Sequence, residues 1–429
     1  VVVVRVAGRE ALVTPEWPWV LGLGGVWALA PLWLWAGSQP VRRPRGAAEL
    51  APQDLAYLRQ LARDTWSLFE RIVGPDDHHL PPDNLQLEPE PMLARRTSPT
   101  NIGMYLASCA CAQRLGFIDV DELASRLART LATLETLPRL HGHFFNWIST
   151  EDLRMLSPRY VSTVDSGNLV ALCWTVGRRC RDLAEGAADA SPSPTTADRL
   201  RAVADRLDAL ADATDFRFLY DRQRRLFHIG YRADDGVHDR ARYDLLASEA
   251  RLGSFVAIAK GDVPVTHWQA LGRPFLVVDG EPTLRSWSGS MFEYLMPSLL
   301  MREPRGGLLQ RVATAAVRAQ RRFGQAQGVP WGVSECAYYE QDHSYAFQYG
   351  PCGVPLLALR RTPVEDRVIA PYASALALLV DAPAALGNLR ALEEHGARGE
   401  HGFIESLDFS APRRGEDNAV QRVHTFMAH

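Results

Sequence analysis

Ten stretches after residue 50 place apolar residues at i, i+3 and i+4, and this recurrence constrains the fold more than any other feature. They run from "DLAYLRQLARDTWSLFERIV" through "SGNLVALCWTVGRRCRDLA" and "SEARLGSFVAIAKG" to "ALGNLRALEEHG". Only short extended pieces such as "RRLFHIGYR" and "FLVVDG" interrupt them. Ten or more helices joined by long loops rich in aromatics, glycine and proline fit an all-α toroid better than a sheet-based fold. A chain of 429 residues with 47% apolar content supports either that one large toroid or two to three smaller domains. Residues 184–198, "AEGAADASPSPTTAD", read as a solvent-exposed connection.

Residues 1–45 differ from the rest. "VVVVRVAGREALVTP" has the β-branched run of a strand and leads into residues 18–37, which carry no charge. Twenty helical residues would span roughly 30 Å, the thickness of a bilayer core. Trp17, Trp19, Trp33 and Trp35 sit at its two ends, and Arg42, Arg43 and Arg45 follow. One reading is a membrane span whose basic flank places residues 46–429 on the cytoplasmic side. The other is a helical hairpin broken at Pro31 and packed on the globular domain. The chain begins at Val1 and stops at "FMAH" inside a structured run, so it reads as a piece of something longer, truncated at the C-terminus.

Basic and acidic residues, 47 and 50, are interspersed along the chain, which argues against a nucleic-acid-binding surface. The six cysteines form no C-x-x-C pair, so neither a disulfide framework nor a zinc site is signalled. No P-loop, dinucleotide-binding or G-x-S-x-G motif appears, which removes the main nucleotide and serine-hydrolase readings.

The loops are where chemistry concentrates. "LPPDNLQLEPEP" (80–91), "RRTSPTNIG" (95–103), "LHGHFFNW" (140–147), "YVSTVDSGN" (160–168), "LRSWSGSMFEYL" (284–295), "VPWGVSECAYYEQD" (329–342) and "HGFIESLDFS" (401–410) crowd aromatics, carboxylates and amides together. Aromatic faces beside acids and amides suit sugar rings, which stack through C–H faces and hydrogen-bond through hydroxyls. Glycoside chemistry asks for two carboxyl groups flanking the scissile bond. Candidates are Asp165, Glu249, Glu293, Glu335 and Glu405. Glu249 lies among Leu245, Leu246, Leu252 and Phe255, where desolvation raises a carboxyl pKa and suits a general acid. It could equally be an acid answering a helix dipole or pairing with Arg251. Glu335, in "GVSECAYYEQ", has no basic residue nearby in sequence to explain it as a local ion pair. Asp165 could instead cap a helix starting near Asn168, and Glu405 and Asp408 could hold a turn. His141 and His143 stand near Asp152 without a third ligand spaced to complete a metal site, so hydrogen bonding is the preferred reading.

The same loops, in order, resemble the central glycoamylase-like region of the bacterial cyclic β-1,2-glucan synthases. "LPPDNLQLEPEPMLARRTSPTNIGMYLAS", "GHFFNW", "LSPRYVSTVDSGNL", "YDLLASEARLGSFVAIAKGDVP", "SWSGSMFEYLMPSLLM", "GVPWGVSECAY" and "GARGEHGFIESLDF" carry the resemblance, from about residue 50 to the end. It implies an (α/α)6 barrel and cyclisation of linear β-1,2-glucan by anomer-retaining intramolecular transglycosylation, without cofactor or metal. Glu249 of "ASEAR" would be the general acid/base and Glu335 of "GVSEC" the nucleophile. His143, Trp147, Asp165, Asn168, Trp287, Glu293 and Tyr338 would line the glucan cleft. Neighbouring glycosyltransferase and phosphorylase-like domains, and a bacterial inner-membrane location, are implied with it. One departure is visible: Cys336 stands where the family pattern "SESAY" has serine. A hydrolytic endo-β-1,2-glucanase and a non-catalytic glucan-holding module are the alternatives.

Overall fold

The computed structural model describes residues 2–6, 9–13, 17–32, 50–186, 192–360, 366–413 and 419–429. The chain divides into two compact units, Val1–Ala48 and Glu49–His429.

The first unit holds an antiparallel hairpin, Val2–Val6 against Arg9–Val13, and helix α1, Trp17–Ala28. The expectation of a membrane span is overturned here. Helix α1 has 12 residues, about 18 Å at 1.5 Å per residue, well short of a bilayer core. Among the described residues no helix is long and apolar enough to cross a membrane. Pro31 supplies the physical reason, since it cannot donate to the helical ladder and disfavours helical backbone before it. Residues 33–37 and the arginines after them lie outside the described residues. The inner-membrane, cytoplasmic-side placement is withdrawn with the span.

The second unit is built on helices α2 (Pro52–Ile72), α3 (Pro99–Arg114), α4 (Val120–Thr136), α5 (Thr163–Ala184), α6 (Pro194–Ala213), α7 (Arg251–Ala259), α8 (Thr266–Ala270), α9 (Met291–Leu295), α10 (Leu308–Gln327), α11 (Pro371–Ala377) and α12 (Ala382–Glu394). All but α8, which the sequence reading missed, follow one of the periodic stretches, with Pro297 stopping α9 after five residues. Helix α5 is buried along most of its length and packs on α3, α6 and α7. Two glycine contacts set those spacings. A Cβ on Gly103 of α3 would stand 2.7 Å from Leu172 of α5, and one on Gly167 of α5 would stand 2.4 Å from the Gly253 backbone of α7. Helices α5 and α7 therefore approach nearly backbone to backbone near their N-terminal ends, while α3 presses on the Leu172 side chain.

Strands are more extensive than the short extended pieces expected. A five-stranded antiparallel sheet takes Val237–His238, Gly230–Arg232, Met155–Ser162, Asn146–Ser149 and Arg96–Thr97 in that order. A second sheet pairs Thr425–Met427 with Asn84–Gln86. The loops judged rich in chemistry become these strands, because their backbone groups need partners once covered.

Candidate active site

A cavity of about 780 Å3 opens at the N-terminal ends of α3, α5 and α7. Glu249 and Glu335 both line it, together with Trp147, Asp165 and Asn168.

Glu249 occupies the turn before α7. Both bland explanations for it fail on geometry. Arg251 is 2% exposed and spends its guanidinium on carbonyls, Ser248 O at 3.3 Å, Glu293 O at 3.1 Å and Tyr294 O at 2.9 Å. Among the described residues the Glu249 carboxyl meets only its own backbone N–H and, at 3.4 Å, Ser248 Oγ. Burial pushes its pKa up to about 8, aided by the negative charges of Glu293 and Glu335. An acid settled by a helix dipole would move the other way, so desolvation wins.

Glu335 sits at the bend that enters strand Cys336–Gln341. Its backbone is clamped on both sides by buried side chains. Asn388 takes Trp331 N–H at 3.1 Å and donates to Trp331 O at 2.7 Å. Gln320 does the same for Val333, at 2.8 and 2.7 Å. Tyr372 Oη donates to Glu335 O at 2.7 Å, and Glu405 accepts from Ala337 N at 3.0 Å. Gly332 between them takes φ +122°, a left-handed conformation open to glycine. Burial raises the Glu335 carboxyl too, while the Tyr349 hydroxyl and the charge of Arg360 pull it back. The two carboxyls thus occupy one cavity in unequal environments.

Asp165 is not the cap of α5. Ser162 fills that role, accepting from Asp165 N at 3.2 Å, while Asp165 Oδ1 accepts from Thr100 Oγ1 at 2.7 Å. Asn168 donates to the same Thr100 oxygen at 3.1 Å. Its buried Oδ1 has no partner among the described residues, nor has Thr425 Oγ1 on the same cavity wall. Trp147 lies under the Arg96 guanidinium at 5.2 Å.

Four expected residues stand outside the lining. His143 is 1% exposed, with Nδ1 on Ser166 Oγ at 2.8 Å and Nε2 on Asp215 O at 2.9 Å. Burial lowers its pKa to about 4, leaving it a neutral bridge within the fold. Its neighbour His141 stacks on Phe218 at 4.3 Å, and Asp152 pairs with Arg154. Trp287 donates from Nε1 to Asp244 at 2.9 Å and is 45% exposed beyond the cavity. Tyr338 lies under Arg413 at 5.0 Å. Glu293 is saturated by its own loop, accepting from Ser286 Oγ at 2.8 Å, from Trp287 N, Ser288 N and Ser290 N at 3.1 Å, and from Ser288 Oγ. It remains a fixed charge acting on both Glu249 and Glu335.

Sequence reading missed the polar wall opposite. Asp83 accepts from Asn101 at 2.9 Å and from Arg96 at 3.4 Å, and Tyr243 senses Glu249, Asp165 and Glu335 together. The first three stand in loops already singled out for crowded polar residues, so composition held the signal without the pairing.

Comparison with known proteins bears on the same segment. The Glycoamylase family model, described as "Putative glucoamylase", matches residues 242–429, which carry both carboxyls. The cyclic beta-(1,2)-glucan synthase NdvB of Rhizobium meliloti is 34% identical over 94% of this chain. The chain resembles the cyclic β-1,2-glucan synthases. It spans 18% of that relative's length. The endo-beta-1,2-glucanase of Chitinophaga pinensis superposes with a TM-score of 0.67 at 13% identity, covering 88% of this chain and 90% of that one. The endo-beta-1,2-glucanase of Talaromyces funiculosus gives 0.67 at 14%, covering 87% and 82%. At such identity these likenesses show a shared, largely helical fold.

Proposed function

We propose that residues 46–429 form the carbohydrate-active domain of a cyclic β-1,2-glucan synthase, folded as an (α/α)6 barrel, that closes linear β-1,2-glucan into rings. The observation that carries this is the pair Glu249 and Glu335, two carboxyls lining one cavity, both raised by burial, with Tyr349 and Arg360 opposing the rise at Glu335. Glu249, protonated at neutral pH, gives its proton to the glycosidic oxygen. Glu335, whose burial-raised proton affinity is partly offset by Tyr349 and Arg360, attacks the anomeric carbon as the carboxylate and forms a covalent glycosyl-enzyme. Glu249, now a base, takes the proton of the 2-hydroxyl at the other end of the same chain. That oxygen attacks the anomeric carbon, Glu335 leaves, and the ring closes with retention.

Trp147 offers a sugar-stacking face. Asn168 Oδ1 and Thr425 Oγ1, buried and without a partner among the described residues, are acceptors that sugar hydroxyls satisfy. Neighbouring glycosyltransferase and phosphorylase-like domains would supply and receive glucan in a longer protein.

The test is product mass after incubating the chain with linear β-1,2-glucan. Products lighter than linear glucans by one water are expected. Shortened linear products would replace cyclisation by hydrolysis, and unchanged glucan would leave a holding module. Glu335→Gln removes the nucleophile, so full activity in that variant would sink the assignment.

A further inference from the structure

Cys336 follows Glu335 directly, is fully buried, and packs against Cys352. The strand register sets Gly350 opposite Cys336. Beyond it the chain turns sharply, with Cys352 N donating to Gly350 O at 3.0 Å, and this brings the two thiols into hydrogen-bonding contact. Both thiols are free, so to bond covalently the sulfurs must draw together to a disulfide length of about 2.05 Å. Neither thiol has a task in the reaction described above. Cys352 reaches the surface in part, whereas Cys336 does not.

We propose that Cys336 and Cys352 form a reversible two-thiol redox site, oxidised by hydrogen peroxide and reset by a dithiol, that controls the strand bearing Glu335. Cys352, the accessible sulfur, attacks one peroxide oxygen as the thiolate. The O–O bond breaks, hydroxide leaves and is protonated to water, and Cys352 becomes a sulfenic acid. Cys336 then attacks the sulfenic sulfur, and its proton departs with the hydroxyl as a second water. Two electrons pass from the two thiols to the peroxide, leaving one disulfide. A dithiol reverses this by exchange, ending as its own cyclic disulfide. Contact with Cys352 and burial hold Cys336 protonated in the reduced state, which leaves the first attack on peroxide to Cys352; Cys336 gives up its proton as it attacks the sulfenic sulfur.

The bond would act on both sides of the nucleophile. Glu335 is joined to Cys336, and Tyr349, whose hydroxyl favours the Glu335 charge, is joined to Gly350 on the opposing strand. Drawing Cys336 and Cys352 together displaces both. A shift of about 1 Å at reacting atoms costs on the order of a hundredfold in rate. The effect on activity rests on the reading of Glu335 given above; the disulfide does not.

The experiment treats the reduced full chain with hydrogen peroxide, alkylates the remaining thiols and maps peptides by mass without reduction. A peptide joining Cys336 to Cys352 is expected, absent from Cys336→Ser and from Cys352→Ser. Turnover of linear β-1,2-glucan falls about a hundredfold in the oxidised protein and returns with dithiothreitol, whereas Cys336→Ser, bearing the serine of the family pattern, keeps its rate through the treatment. Both cysteines staying alkylatable, or oxidation confined to the exposed Cys111, overturns the proposal. A mapped disulfide with unchanged turnover overturns the control of Glu335. A mapped disulfide in a chain inactive even when reduced refutes the catalytic reading and leaves the redox site standing.

Discussion

Replacing Glu249 by glutamine should destroy activity and stabilise the protein, and the second effect should depend on pH. The carboxyl ionises near 4.5 in the unfolded chain and at about 8 in the folded one, because burial disfavours its charge. Folded protein therefore keeps a proton that the unfolded chain releases between those two values. The stability this group contributes is full below pH 4.5 and is lost as pH rises through 8. At 1.36 kcal/mol per pH unit the whole loss is about 5 kcal/mol. Glu249 borders a cavity and is partly exposed, so solvent screening reduces this to about 2 kcal/mol. Unfolding entropy of about 2.1 cal/mol/K per residue turns 2 kcal/mol into roughly 2–3 °C in Tm for a domain of this size. Glutamine mimics the protonated acid and carries none of the cost. Thermal unfolding of both proteins should coincide near pH 5 and separate near pH 8.5, glutamine the higher. Equal Tm differences at both pH values would refute the account. In the active enzyme kcat/KM should fall above pH about 8 as the acid is lost, and Glu249→Gln should cost about 10²–10⁴-fold.

Glu293→Gln tests the fixed charge behind the pair. Glutamine keeps one oxygen for the Ser290 capping box but turns its amide nitrogen toward donors that Glu293 now satisfies, so Tm falls, and the alkaline limb of the rate profile moves down by about one pH unit as a like charge disappears. A lower Tm with an unmoved limb would reduce Glu293 to a structural cap. Gln320→Ala strips both hydrogen bonds from Val333 in a buried site, costing about 2–4 kcal/mol by thermal or urea unfolding. It also frees the segment before Glu335, so kcat should drop more than KM rises; intact kcat would show that the clamp does not position the carboxylate.

The helices were legible because burying a stripe leaves a 3.6-residue trace, and α5 and α7 lie where that trace fell. The sheets were not. Arg96–Thr97 and Asn146–Ser149 pair across 50 residues, and short strands bury too few alternating positions to show a period of two. At the site, legibility followed the same division. Glu249 and Glu335 stood out because each is an acid among apolar or small residues, and a locally unbalanced charge survives in sequence. His143, Glu293 and Trp287 also looked unbalanced, but their partners arrive from the fold: the carbonyl of Asp215, a ring of loop N–H groups, the carboxylate of Asp244. Crowding of polar residues therefore marks a region without separating the group that meets a ligand from the group that holds the loop. What separates them is whether hydrogen-bonding capacity is spent. Glu293 accepts from five groups and His143 uses both nitrogens, whereas among the described residues Glu249 meets one other side chain, Ser248, at 3.4 Å and Asn168 keeps a buried oxygen without a partner. Unspent capacity beside a cavity, maintained against the cost of burial, is the physical mark of a working group, and it exists only once the chain has folded.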